Sequence, residues 1–193
     1  MIENLTNFAD QAVILPILAL AAVGLLVSGW QRAALAWVIV VPGVLFVVLI
    51  GKIATIGCAG PMTQSIGLYS PSGHTASAAV VYGGLVALLV RTRWPERVAL
   101  VSATVVAAVI GASRLLLGVH TVADVLVGAP VGILGAYALI RLAGPPPRRL
   151  RFGPVIGVVL LISVLLLHGT HLQAEAEIGK IAWNFGAFGF CRQ

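Results

Sequence analysis

The chain has 193 residues, of which 60% are hydrophobic and 9% are charged, and its formal net charge is +6. That hydrophobic share leaves out 22 glycines, whereas an ordinary soluble domain reaches only roughly 45–50% apolar residues with glycine included. Twelve basic and six acidic residues could not cover a water-soluble surface of this size. The composition also excludes a disordered chain and, with two cysteines, a disulfide-stapled scaffold. An integral membrane protein remains.

Six apolar segments are long enough, alone or with their flanks, to cross a bilayer as helices, which takes about 20 residues. They are Gln11–Val27, Ala33–Ile50, Ala76–Val90, Val98–Leu116, Thr121–Leu142 and Gly153–Leu167. We find no linker, internal repeat or soluble insert between them. The sequence therefore predicts an all-α fold, in which six transmembrane helices form a single domain over residues 1–193.

Small residues recur at every fourth position in the third, fourth and fifth spans, a spacing that lets membrane helices approach closely. The three ladders are Thr75, Ala79 and Gly83; Ala103, Ala107 and Gly111; and Gly128, Gly132 and Ala136. Membrane helices are rich in Gly and Ala in any case, but three ladders in consecutive spans favour a tightly packed three-helix core.

The distribution of charge predicts the orientation, because cytoplasmic loops carry the excess of Lys and Arg. With the amino terminus outside, eight of the twelve basic residues fall on inner loops, and five of the six acids fall outside. We therefore expect both termini on the periplasmic side of a bacterial inner membrane. No basic run lies beside an aromatic platform, so we expect no nucleic-acid partner.

Polar residues that hydropathy does not explain collect near three helix ends, all on the predicted outer side. Lys52 ends the second span, Pro71-Ser72-Gly73-His74 opens the third, and Ser113-Arg114, His120 and Asp124 cover the junction of the fourth and fifth. Ionisable residues at membrane depth are costly and are usually functional. The topology alone thus predicts one outer-facing site.

Two histidines in this set suit acid–base and nucleophilic chemistry. His120 and Asp124 are four residues apart on a predicted helix, so their side chains share a face. A carboxylate beside an imidazole fixes its tautomer and raises its basicity, which prepares His120 to act as a nucleophile or base. His74 is a second imidazole, suited to giving a proton to a leaving group.

The remaining polar residues suit an anion. Arg114 offers a planar fork that matches phosphate oxygens, and Lys52 adds a second positive charge. Ser72 and Gly73 lie at a predicted helix start, where backbone N–H groups favour anions. Each feature also has a purely structural interpretation. The His120–Asp124 pair could be a buried hydrogen-bonded pair, Arg114 could extend to the membrane interface, and residues 71–74 could be an ordinary helix start. Their convergence on one face favours a phosphate site that needs no metal.

These residues resemble the second and third signature motifs of the type-2 phosphatidic acid phosphatase family. The matching stretches are Pro71-Ser72-Gly73-His74 and Ser113-Arg114-x5-His120-x3-Asp124. The resemblance implies that His120 attacks phosphorus to form a phosphohistidine, that Asp124 orients His120, and that His74 protonates the leaving oxygen. It further implies phosphoryl-oxygen contacts from Lys52, Ser72, Gly73 and Arg114.

The first family motif, Lys-x6-Arg-Pro, is altered in this chain. Lys52 is present, but Ala59 and Gly60 occupy the Arg and Pro positions, and Pro61 comes one place late. No other cation lies between Lys52 and His74. We therefore expect phosphate binding to depend more heavily on Lys52 and Arg114.

The leading interpretation is a metal- and cofactor-independent lipid phosphatase at the outer membrane surface. Its substrate would be a phospholipid or polyprenyl phosphate, such as undecaprenyl pyrophosphate, phosphatidylglycerol phosphate, phosphatidic acid or lipid A. One alternative is a phosphotransferase that uses the same histidine. Another is a non-catalytic, lipid-binding relic of the fold.

Both cysteines fall on the predicted outer side, Cys58 in the loop after the second span and Cys191 in the carboxyl-terminal tail. An oxidising compartment would favour a Cys58–Cys191 disulfide, although two unrelated free thiols are the alternative. The bridge would hold the aromatic tail, Trp183 to Phe190, over the site. Without it, the tail would lie against the bilayer surface or cap the outer mouth.

Overall fold

The structure is a computed structural model that describes residues 2–58, 61–91, 95–147 and 174–187, together with residues 157, 169 and 172. These residues form helices joined by short turns, and no β-strand occurs among them. The helices are α1 (Ile2–Asn7), α2 (Gln11–Val27), α3 (Gln31–Gly57), α4 (Pro61–Ser65), α5 (Gly73–Ala78), α6 (Gly84–Val90), α7 (Arg97–Leu116), α8 (Val122–Ala143) and α9 (Ala174–Ala187). A π-helical stretch, Ala79–Gly83, joins α5 to α6.

Five helical segments in the described part of the chain are long and apolar enough to cross a membrane. They run over residues 2–27, 31–57, 73–90, 97–116 and 122–143, and each overlaps one of the first five predicted spans, with the first segment beginning nine residues earlier than predicted. The second is longer than predicted: α3 continues to Gly57, so Lys52 lies inside the helix. The sixth predicted span, Gly153–Leu167, falls outside the described residues except for Gly157, so a count of six is not confirmed.

The small-residue ladders lie where helices touch. Ala79, Ala103, Ala107 and Ala136 form one buried cluster shared by the π-helical stretch, α7 and α8. A Cβ atom added to Gly83 would lie 2.5 Å from Cα of Ala103, which no side chain tolerates. The predicted three-helix core is therefore confirmed, and its close packing depends on residues that have almost no side chain.

Charged groups mark the two ends of the bundle. Arg32 begins α3 and Lys52 lies near its end, about 30 Å away at the rise of an α-helix. At the Arg32 end, Arg32 Nε donates to the Leu142 carbonyl over 2.8 Å, which satisfies a carbonyl in the last turn of α8. Nearby, Glu96 pairs with Arg91 at 2.8 Å and Arg141 at 3.3 Å. The Lys52 end holds the site described below.

Gly128 offers a test of this close packing. Its added Cβ would lie 2.5 Å from the Ser72 carbonyl oxygen, so Gly128→Ala should push α8 away from α5. We expect a loss of about 1–3 kcal/mol in the free energy of unfolding, the usual cost of overpacking. Thermal unfolding in detergent measures it. Gly43→Ala is the control, since a Cβ there meets nothing within 4 Å; equal stability of the two variants would contradict the packing argument.

Candidate active site

The Asp124 carboxylate organises one end of the bundle. It is 2% exposed and lies in the first turn of α8, where Thr121 is the N-cap. Thr121 Oγ1 accepts from the Asp124 amide at 3.1 Å, and Asp124 Oδ2 accepts from the Thr121 amide at 3.1 Å, a reciprocal capping box. Asp124 Oδ1 accepts from the amides of Tyr69 at 2.9 Å and Ser70 at 2.8 Å. One carboxylate therefore fixes both the helix start and the preceding loop.

His120 lies against this carboxylate. Its Nδ1 is 3.3 Å from Asp124 Oδ2, and its side chain is 6% exposed. A hydrogen bond from Nδ1–H to the carboxylate would leave the lone pair on Nε2, on the far side of the ring. The two side chains meet as predicted, but not on one helix face: His120 precedes the N-cap Thr121 and lies outside α8, so the preceding turn places its ring against Asp124, with Nε2 available for chemistry.

Lys52 is buried, at 2% exposure, and carries its charge into the same end of the bundle. Its Nζ donates to Ser70 Oγ at 3.0 Å and to both carboxylate oxygens of Glu175, at 2.9 and 2.8 Å. Gly73 makes room for the lysine stem, because a Cβ at this position would lie 3.3 Å from Lys52 Cε. Lys52 and the start of α5 are therefore in direct contact.

Arg114 reaches the site from the last turn of α7. Its Nη1 donates to Thr6 Oγ1 at 3.1 Å, which ties the guanidinium to α1. Its Nε is buried and has no hydrogen-bond partner within the described part of the chain. A buried N–H group without a partner is costly, so this group is suited to donate a hydrogen bond to an oxygen of a bound anion.

Ser72 is the N-cap of α5 and has a structural role in this arrangement. Its hydroxyl pairs with Thr75 Oγ1 at 2.8 Å and accepts from the Thr75 amide at 3.4 Å. Its own amide donates to the Asp124 carbonyl at 3.0 Å. The sequence predicts Ser72 as an anion ligand, whereas its hydroxyl and amide both have protein partners, and the amide joins α5 to α8. His74, the next residue but one, faces a cavity.

Two cavities meet at the site. A polar one of about 570 Å³ is lined by Arg114, His120 and Asp124, among others. A second, of about 380 Å³, has Lys52, Gly73 and His74 at its wall and is otherwise mostly apolar. Glu175 of α9 lines both. The two histidines therefore face different cavities, and Glu175 lies between these two cavities.

Glu175 carries a negative charge in this setting. Burial alone would raise the pKa of its carboxyl, but the charge of the Lys52 ammonium and the hydrogen bonds from it outweigh that effect, so the pKa is below its ordinary value. The ionised carboxylate is therefore the partner of the Lys52 ammonium. Within the described residues there is no cluster of three or more His, Cys, Asp or Glu side chains that could hold a metal ion.

The structure brings together all seven residues predicted for catalysis and phosphate binding. They are Lys52, Ser72, Gly73, His74, Arg114, His120 and Asp124. The predicted Cys58–Cys191 bridge stays a prediction, because Cys191 lies outside the described residues.

Sequence reasoning missed Thr121, Ser70 and Glu175. The signature Thr-x-x-Asp before an apolar run predicts a capping box and could have revealed Thr121. Nothing in the sequence singles out Glu175, which is 123 residues away from Lys52.

The geometry agrees with the comparisons to known proteins. Residues 47–146, half of the chain, match the PAP2 superfamily, and the chain belongs to that superfamily. The resemblance seen in the motifs is therefore confirmed, and it places the chain among membrane phosphatases of lipid metabolism. No solved structure matches the chain.

Two relatives are similar to this chain. One is an uncharacterized 22.5 kDa protein in the cps region of Klebsiella pneumoniae, 26% identical over 95% of this chain and 91% of its own length. The other is phosphatidylglycerophosphatase B of Bacillus subtilis (strain 168), 36% identical over 78 residues, which are 38% of each chain.

His120 should be neutral at pH 7. Burial lowers its pKa below the ordinary 6.5; the hydrogen bond to Asp124 opposes this, and the nearby charges of Lys52 and Arg114 add to it. NMR titration of histidine-labelled protein in detergent, assigned with His120→Gln, should therefore give a midpoint below 6.5. Lys52→Ala should raise that midpoint by removing a repelling charge. A midpoint at or above the ordinary value would contradict this electrostatic account.

Proposed function

We propose that this chain is a phosphatase that hydrolyses lipid phosphates or pyrophosphates through a phosphohistidine, without a metal or cofactor. The observation that carries the proposal is the His120–Asp124 pair, at 3.3 Å, in a cavity that also holds Arg114 and adjoins Lys52 and His74. Membership of the PAP2 superfamily and the activity in the name of the Bacillus relative support the same reaction class.

The chemistry follows from the two imidazoles. Asp124 holds His120 with Nδ1–H toward the carboxylate, and Nε2 attacks phosphorus. The N–P bond forms as the P–O bond to the lipid breaks, and His74 gives its proton to the departing oxygen. Water, deprotonated by His74, then attacks the phosphohistidine and releases inorganic phosphate. Both histidines return to their starting states, so no further reactant is needed.

Lys52 and Arg114 would hold the phosphoryl oxygens and stabilise the charge that develops on them. Arg114 Nε is a buried donor that lacks a partner among the described residues, and Lys52 is a buried ammonium beside Gly73. Gly73 and Ser72 would border the phosphate at the start of α5. Because Ala59 stands at the position of the family arginine, Lys52 and Arg114 would balance the negative charge of the phosphate.

The apolar cavity beside the site suits a substrate with a lipid tail. Leu45, Val48 and Leu49 of α3 line it. Lys52 lies one helical turn further on, where it would contact the phosphate headgroup of the lipid. Suitable headgroups include phosphatidylglycerol phosphate, phosphatidic acid, undecaprenyl pyrophosphate and lipid A. We further propose that the site faces the periplasm across a bacterial inner membrane, with the Arg32 end of the bundle toward the cytoplasm.

Phosphate release from a panel of these four lipids tests the function. We expect at least one to be hydrolysed by purified protein in the presence of a chelator. His120→Ala should abolish turnover, and Asp124→Ala should reduce it by up to roughly 10⁴-fold, the effect of removing an orienting carboxylate in serine proteases. Lys180→Ala, on the exposed face of α9, is the control and should retain activity. Hydrolysis by His120→Ala at the wild-type rate would disprove the mechanism.

The altered first motif gives a second test. Because no arginine stands at position 59, Lys52→Ala and Arg114→Ala should damage kcat/KM to a similar degree, by roughly 10–100-fold for a lost charge-assisted contact. Ala59→Arg should leave activity unchanged or raise it. A Lys52→Ala protein with unaltered kcat/KM would show that Lys52 does not bind the substrate.

A further inference from the structure

The position of Glu175 is unusual for a residue beside a phosphate-binding lysine. Both of its carboxylate oxygens accept from the Lys52 ammonium, at 2.9 and 2.8 Å. A carboxylate held in this way imitates two oxygens of a phosphoryl group, in charge and in hydrogen bonding. Lys52 therefore already has an anionic partner supplied by the chain itself.

Glu175 also occupies the place where the two histidines would meet a substrate. In-line transfer requires phosphorus between the attacking His120 and the proton donor His74. Glu175 lines both the cavity of His120 and that of His74. A lipid headgroup could not contact Lys52 and reach His120 while this carboxylate remains in place.

The helix that carries Glu175 covers the apolar cavity as well. Ile178 and Ile181 of α9 line that cavity opposite Leu45 and Leu49 of α3. Glu177 of the same helix borders this cavity and pairs with Lys180 at 2.7 Å, and both of these side chains are largely exposed. The helix thus turns an apolar face toward the space that a lipid tail would need. It lies beyond residues 47–146, the part that matches the superfamily.

We propose that Glu175 is a carboxylate gate: it occupies the phosphate position on Lys52 in the resting enzyme, and the substrate phosphate must displace it together with α9. The proposal rests on the function proposed above, because it takes Lys52 as a phosphate ligand. The displacement is feasible, since the Glu175 side chain is 46% exposed and an ion pair with such access to water is weak. The gate selects for ligands whose phosphate carries enough negative charge to compete with a carboxylate.

Binding of inorganic phosphate to the detergent-solubilised full chain tests the gate without requiring turnover. Glu175→Gln keeps the shape of the side chain and removes its charge, so calorimetry should show phosphate bound roughly three- to tenfold more tightly than by wild type, the equivalent of a weak ion pair. Glu96→Gln is the matched control: it makes the same change at the opposite end of the bundle, where Glu96 pairs with Arg91 and Arg141, and its phosphate affinity should equal that of wild type. Adding Lys52→Ala to Glu175→Gln should remove the gain.

A kinetic arm distinguishes a lipid headgroup from free phosphate. With the best lipid substrate of the panel, Glu175→Gln should lower KM by a similar factor and leave kcat nearly unchanged, because the carboxylate competes with binding and takes no part in the reaction. Phosphate affinity that is unchanged, weaker or undetectable in Glu175→Gln would overturn the gate, as would a large fall in kcat. Failure of the proposed function is recognised separately, by turnover that survives in His120→Ala or by wild-type protein that hydrolyses none of the panel.

Discussion

The rest of the site depends on the hydrogen bonds that the Asp124 carboxylate accepts. Its oxygens accept hydrogen bonds from the amides of Tyr69, Ser70 and Thr121 and lie against His120 Nδ1. A buried carboxylate must be satisfied by donors, and these donors come from two separate stretches of chain. The same group therefore starts α8, fixes the loop before α5 and contacts the His120 ring, so one residue determines both the local fold and the position of the imidazole.

Close helix packing makes this arrangement possible. Gly128 and Gly132 allow the backbone of α8 to lie directly against Ser72 and Ala76 at the start of α5. The Ser72 amide can then reach the Asp124 carbonyl at 3.0 Å. Small residues in a membrane bundle are usually discussed as a source of stability. In this chain they also set the separation between the two motifs that carry the histidines.

If the gate operates, Lys52 binds two anions in succession, first the Glu175 carboxylate and then the substrate phosphate. A buried ammonium without a partner would be costly, and Glu175 satisfies it in the absence of substrate. The substrate phosphate then replaces one anion by another, so the lysine is never left alone in a poorly hydrated place. With Ala59 in the position of the family arginine, fewer positive charges have to be balanced at rest, and one carboxylate is sufficient for Lys52.

The sequence by itself determined the class of protein, the first five membrane-crossing segments and the ladders of small residues, and it indicated seven candidate site residues that the structure brings together. These features are local: hydropathy depends on runs of apolar residues, and a short motif keeps its polar residues close together in the chain. The tertiary structure alone decided that α3 extends past Lys52, that the Ser72 hydroxyl and amide have protein partners, and that Glu175 reaches Lys52. The contacts of the Ser72 amide with Asp124 and of Glu175 with Lys52 join residues far apart in the chain, and they depend on how helices pack, which no local pattern encodes.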